Sequence, residues 1–143
     1  MPTTAPYGAL VLRLTLGLAA LAHGLLKVFV FTPAGTVGFF GSLGLPPIAA
    51  YLVMLAEIGG GLALIAGAYV RLVSLALIPV LLGALWVHAG NGWMFAAPKG
   101  GWEYPAFWTL ALIAQALIGP GAFALKLPDP AALIGRRTAT AST

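Results

Sequence analysis

His23 and Lys27 stand one helical turn apart in LAHGLLKVFVF (residues 21–31), a run otherwise made of glycine and apolar side chains. Hydrocarbon tolerates neither an ammonium nor an imidazole without a partner, because the polar head forfeits water and gains nothing in return. A third such group, Glu57, sits in YLVMLAEIGGG (residues 51–61), and His88 and Glu103 follow near the ends of later apolar runs. A carboxylate, a lysine and a histidine brought together can hold and pass a proton, or exchange hydrogen bonds with a carbonyl ligand. They can equally form an ion pair that fixes helix register. Either role needs the side chains to face one shared interior, and that requirement falls on the helices.

The chain has 143 residues, 61% of them hydrophobic and 7% charged. So few polar residues cannot coat a soluble core of this size, so lipid is the main solvent. Apolar stretches at 8–31, 48–67, 72–90 and 105–125 predict an all-α integral membrane protein, a four-helix transmembrane bundle. Residues 1–130 form one membrane domain in this reading, and 131–143 a disordered cytoplasmic tail. The rival reading of the first stretch, a signal peptide cut after Ala20-Leu21-Ala22, is weakened by the apolar sequence that resumes at once, so the helix is expected to stay in the mature protein. Glycines and prolines interrupt residues 32–47, leaving Val37 to Phe40 as a short interfacial segment. Pro79 predicts a local bend in the third span.

Charge sets the expected orientation. Arg13, Arg71, Lys126, Arg136 and Arg137 fall on one side of an alternating bundle, which places both termini in the cytoplasm, N-in/C-in. The net charge of +4 is scattered, so nucleic acid is not an expected partner. Arg13 is expected to snorkel to the inner headgroups, and Trp86, Trp93, Trp102 and Trp108 to anchor the outer interface. Small residues at Ala20/Gly24, Ala56/Gly60, Ala63/Gly67 and Gly83 allow close helix packing, and homo-oligomers through such faces are expected.

Helical rise gives the depths. At about 1.5 Å per residue, His23 and Glu57 both lie roughly 12–13 Å from the outer end of their spans, and Lys27 about 6 Å. His88 and Glu103 stand close to the outer edge, so His23, Lys27, Glu57, His88 and Glu103 form the expected ligand-binding or proton-handling group. The segment NGWMFAAPKGGWEY (residues 91–104) could fold over its mouth, with Trp93, Phe95 and Trp102 as an aromatic lid suited to a planar, lipid-soluble ligand such as a quinone. An aromatic belt accounts for the same residues without a ligand.

Other chemistries are poorly supported. No cysteine is present, which removes thiolate catalysis and disulfide exchange, and no phosphate-cradling loop or nucleophile, base and acid set is visible. The depth gap of about 9 Å between His23 and His88 suits opposite haem ligands badly, and a metal site would want more ligands than His23 and Glu57 supply. No metal is expected, and catalysis by the chain alone is not expected either.

Taken in order, RLTLGLAALAHGLLK (residues 13–27), FFGSLGLP (39–46), EIGGGLALIAGAYVR (57–71), His88 and GWEYP (101–105) resemble the DoxX family of small four-helix membrane proteins. The resemblance covers roughly residues 7–129, and the matching positions are Arg13, Gly17, His23, Gly24, Lys27, Glu57, Gly60, Gly61, Gly67, Arg71, His88 and Glu103. It implies a multi-pass protein of the bacterial inner membrane. Some relatives are the small subunit of a thiosulfate:quinone oxidoreductase, and others are linked to oxidative-stress or thiol-redox complexes. This chain has neither a cysteine nor a soluble domain, so sulfur chemistry would fall to a partner.

The function expected from residues and resemblance together is an accessory membrane subunit of a quinone-linked redox or oxidative-stress complex. It would bind a small lipophilic ligand in the outer-half polar pocket, with a membrane or peripheral redox subunit as partner. Two rivals are a small-molecule carrier component, although only Thr15, Ser74, Arg13 and Arg71 lie below Glu57 and His23 to make a polar route, and a purely structural scaffold.

Overall fold

The computed structural model describes residues 3–127, and the expected tail at 131–143 lies outside them. Helix α1 spans Ala5–Leu25 and continues as a π-helical turn at Leu26–Val30; α2 is Pro33–Ser42, α3 Pro47–Ala66, α4 Val70–His88 and α5 Glu103–Ile118. A 3₁₀ turn at Ala89–Asn91 closes α4. The described residues are thus all-helical apart from turns and loops.

Proline and glycine set most of these limits. Prolines open α1, α2 and α3 in the first turn, where the missing N–H costs nothing. Thr32 caps α2 by accepting the Gly35 amide at 3.2 Å, so the expected four-residue interfacial segment is a helix of ten residues. Gly67 ends α3 at φ 78°, a conformation in which glycine meets no Cβ penalty. Pro79 sits within α4 without breaking it.

Among the described residues three stretches are long and apolar enough to cross a membrane: Ala5–Val30, Pro47–Ala66 and Val70–Asn91, with mean hydropathies of 1.8, 2.0 and 2.2. The fourth expected span, 105–125, is shorter than its apolar sequence implied. Helix α5 has 16 residues and stops at Gly-Pro-Gly (119–121), where Gly119 and Gly121 adopt φ of 94° and 70°.

Helices α1 and α3 make the closest seam. A Cβ on Gly61 would stand 2.6 Å from the Leu21 amide nitrogen and 2.8 Å from the Gly17 carbonyl oxygen, and one on Gly24 would stand 3.1 Å from the Glu57 Cβ. Backbone meets backbone there, which only glycine permits. Gly60 instead receives the Leu77 side chain of α4. The expected packing role of Gly83 does not hold, since nothing lies within 4 Å of a Cβ placed on it. Gly61→Ala is therefore expected to destabilise the fold by about 1–3 kcal/mol. Gly59→Ala, with open space around it, should cost nothing; thermal unfolding of both in one detergent reads the contrast.

Two arginines fasten helix ends. Arg13 is 1% exposed and its Nη1 donates to the carbonyls of Leu64 at 2.9 Å and Ile65 at 3.0 Å, while Nη2 donates to that of Ala122 at 3.1 Å. The expected snorkelling of Arg13 is thus corrected: the last turn of α3, negative by its dipole, offers acceptors within reach and no headgroup is needed. Arg71 repeats the device from α4, its Nη1 donating to the carbonyls of Ala116 at 2.9 Å and Leu117 at 3.1 Å at the end of α5. Between these clamps and the opposite end lies a dry core of Leu16, Ala20, Leu64, Leu77 and Leu112.

Candidate functional site

The close approach at Gly24 brings α1 against Glu57, and one turn farther Lys27 reaches across. Its Nζ donates to Glu57 Oε1 at 2.8 Å and Oε2 at 2.7 Å, with a longer contact of 3.5 Å to the His23 carbonyl. Those three contacts use the three donors of the ammonium. Glu57 is 7% exposed, so the pair is largely shielded. Lys27 lies in the π-helical turn, and its own carbonyl accepts the hydroxyl of buried Thr36 at 3.1 Å. The turn is thereby tied to α2, which holds the lysine in place.

His23 turns a different face. Its Nδ1 meets the Ala19 carbonyl at 2.9 Å. A carbonyl only accepts, so Nδ1 carries the hydrogen and Nε2 is left as the acceptor. The imidazole packs edge-on to Trp108, ring centres 5.0 Å apart, and lies nearly parallel to Tyr104 at 6.2 Å. Trp108 is 5% exposed, a correction to its expected place in the interfacial belt. Its indole Nε1 is buried and has no hydrogen-bond partner.

The remaining expected members separate from this group. His88 bonds through Nδ1 to the Gly100 carbonyl at 3.1 Å, and Asn91 donates to the same carbonyl at 2.9 Å. Glu103 accepts the Phe95 amide at 2.8 Å. Both side chains organise the loop between α4 and α5 and do not meet Lys27 or Glu57, because loop amides and carbonyls stand nearer to them. Trp93 and Trp102 meet edge to face at 4.6 Å. Trp93 and Phe95 line a cleft with Glu103, Tyr104 and Phe107, about 350 Å³ in volume. Tyr104 is the shared wall: one neighbour is the cleft and another is His23. A second hollow of about 230 Å³ lies between α3 and α4, away from the ion pair, lined by Ala56, Gly60 and Leu77 among others.

Tyr104 and Trp108 escaped the sequence reading because tryptophan and tyrosine near a span's end are read as anchors. Trp108 shares the buried face of α5 with Leu112 and Gln115, and Tyr104 stands one turn before it; that spacing was the available signal. Among the described residues no three of His, Cys, Asp and Glu gather as a metal site would require.

A family model described as DoxX matches residues 8–90, more than half of the chain, from within α1 to just past the end of α4 at His88. The chain belongs to the DoxX family. Over 78 residues this DoxX protein is 37% identical to a protein of Bacillus subtilis (strain 168) named "Putative oxidoreductase CatD". The similarity covers 54% of this chain and 57% of that protein, so the DoxX chain is matched over little more than half of its relative's length. No solved structure matches it. Family and apolar helices together make this DoxX chain a multi-pass membrane protein.

Proposed function

We propose that this DoxX protein is an accessory membrane subunit of a quinone-linked redox or oxidative-stress complex, seated in a bacterial inner membrane with both termini inside. Helix α5 serves as the fourth crossing: its 16 residues span about 24 Å, and the aromatic residues at its start can make up the remainder at the interface. The family and the printed name of the Bacillus subtilis relative support the redox assignment.

The observation that carries the ligand reading is the unpartnered indole N–H of Trp108 beside His23. A buried donor without an acceptor costs free energy that a bound carbonyl oxygen would recover. Lys27 is not that donor, since its three hydrogens are engaged by Glu57 and the His23 carbonyl. A quinone bound here would supply a two-electron, two-proton acceptor for a partner's electrons. The chain's own residues would then divide the work: Trp108 Nε1 would donate to the carbonyl oxygen, His23 Nε2 would take up a proton and, having done so, could pass it to the reduced ring, and Tyr104 would offer a ring face. The Lys27–Glu57 pair one turn away keeps a proton store within the same shielded interior.

Nanodiscs with and without a short-chain quinone test this. Tryptophan quenching should saturate in the parent, and Trp108→Phe should weaken the affinity about tenfold, the worth of one buried hydrogen bond. Unchanged affinity in Trp108→Phe, or no saturation in the parent, would refute the assignment. The two-pronged ion pair, lying outside the lining of both hollows, favours a second reading in which Lys27 and Glu57 only lock the register of α1 against α3.

A further inference from the structure

We propose that the open cleft beside the start of α5 is a site for an alkylated ammonium group, bordered by the rings of Trp93, Phe95, Tyr104 and Phe107 and neutralised by Glu103. This site shares only the Tyr104 ring with the proposed quinone contacts, which use neither Glu103 nor the other three rings.

Four rings around one carboxylate is an arrangement with a specific electrostatic meaning. Aromatic faces are negative, and a cation within about 6 Å of a ring centre is drawn to them. The Phe95 and Tyr104 centres are 6.4 Å apart with planes inclined by 46°, so a cation in the cleft lies within reach of both rings. Trp93 is steadied by the edge of Trp102 at 4.6 Å.

Glu103 decides the class of ligand. One carboxylate oxygen accepts the Phe95 amide at 2.8 Å, and the other has no hydrogen-bond partner among the described residues. The only ion pair among those residues joins Lys27 to Glu57, so neither Lys99 nor any other described cation balances Glu103. A membrane-interface belt explains tryptophans, yet it does not call for a carboxylate turned in among them. A neutral planar ligand would cover the rings and strip water from Glu103 without compensating its charge, which is unfavourable. An alkylated ammonium satisfies rings and carboxylate together. Its hydrophobic methyl groups suit the walls, and about 350 Å³ leaves room for the atoms that carry the head. The same chemistry is found on a phospholipid headgroup and on a soluble amine.

The full chain in phosphatidylglycerol nanodiscs, which contain no ammonium, should bind radiolabelled choline saturably in equilibrium dialysis. Choline's uncharged tert-butyl isostere should not displace it. Glu103→Gln should weaken binding roughly tenfold, as loss of the counter-charge from a partly desolvated cation site requires. That variant retains an oxygen for the Phe95 amide, and near-ultraviolet circular dichroism checks that the loop is intact. Trp93→Phe should keep binding and Trp93→Ala should lose most of it. In phosphatidylcholine discs, abolished choline binding assigns the site to the lipid headgroup, and retained binding assigns it to a soluble amine. Equal affinity for the isostere, unchanged affinity in Glu103→Gln, or no saturable binding in phosphatidylglycerol discs overturns the proposal.

Discussion

Glu57→Ala is expected to destabilise the protein by about 3 kcal/mol, because it leaves a lysine charge in a largely shielded interior with only a carbonyl beside it. The value falls at the low end for unpaired buried charges, since the Lys27 side chain keeps 20% exposure and can turn partly outward. Removing both partners, Lys27→Met with Glu57→Leu, should return most of that loss, as apolar replacement of a whole pair commonly does. Thermal unfolding in nanodiscs measures both effects. The double variant also separates the two roles of the pair: a register lock predicts restored folding and restored partner activity together. A proton store predicts restored folding with activity still lost. A single variant as stable as the parent would contradict the pairing altogether.

Arg13→Met should be comparably damaging, about 2–4 kcal/mol, although the side chain touches no part of the candidate site. The guanidinium is the cation at the negative end of α3, and it joins that end to the segment after α5 through the Ala122 carbonyl. Leu64 keeps a second partner in the Gly67 amide, so the loss falls mainly on Ile65 and Ala122. Gly67 cannot be altered to compensate: even without the guanidinium a Cβ there would stand 2.6 Å from the Ala124 Cα, and its φ of 78° disfavours a side chain. Arg71→Met removes a similar clamp from a more exposed position and should cost visibly less, so the ranking of the two midpoints is itself a test.

Long apolar runs were legible in the sequence because lipid imposes a minimum length on a crossing helix. The first three spans begin and end within a few residues of where hydropathy put them. The nearness of α1's polar pair to Glu57 followed from the equal depth of His23 and Glu57 and the cost of an unpaired charge; which of His23 and Lys27 makes the bond is settled by the fold. Residues at span ends were harder. His88 and Glu103 fall in the outer half with the ion pair but at its edge, where loop carbonyls and amides compete for them at shorter range, and hydropathy carries no information about loop course. Arg13 and Trp108 failed for a related reason: each has a default interfacial role, and only the packing of α3 and of His23 against them reveals an interior one. The end of α5 was readable in principle from Gly119-Pro120-Gly121, whose apolar surroundings masked it.

The two arginine clamps sit at the same end of the molecule, where α3 and α5 finish. Helix pairs α1 with α3 and α4 with α5 are thus each riveted at the base, like the two arms of a pair of tongs. Arg13 also ties the first arm to the segment after α5, and Lys27 with Glu57 closes α1 on α3 at the other end, so any widening to admit a guest falls between the two arms, beside Tyr104 and the aromatic cleft.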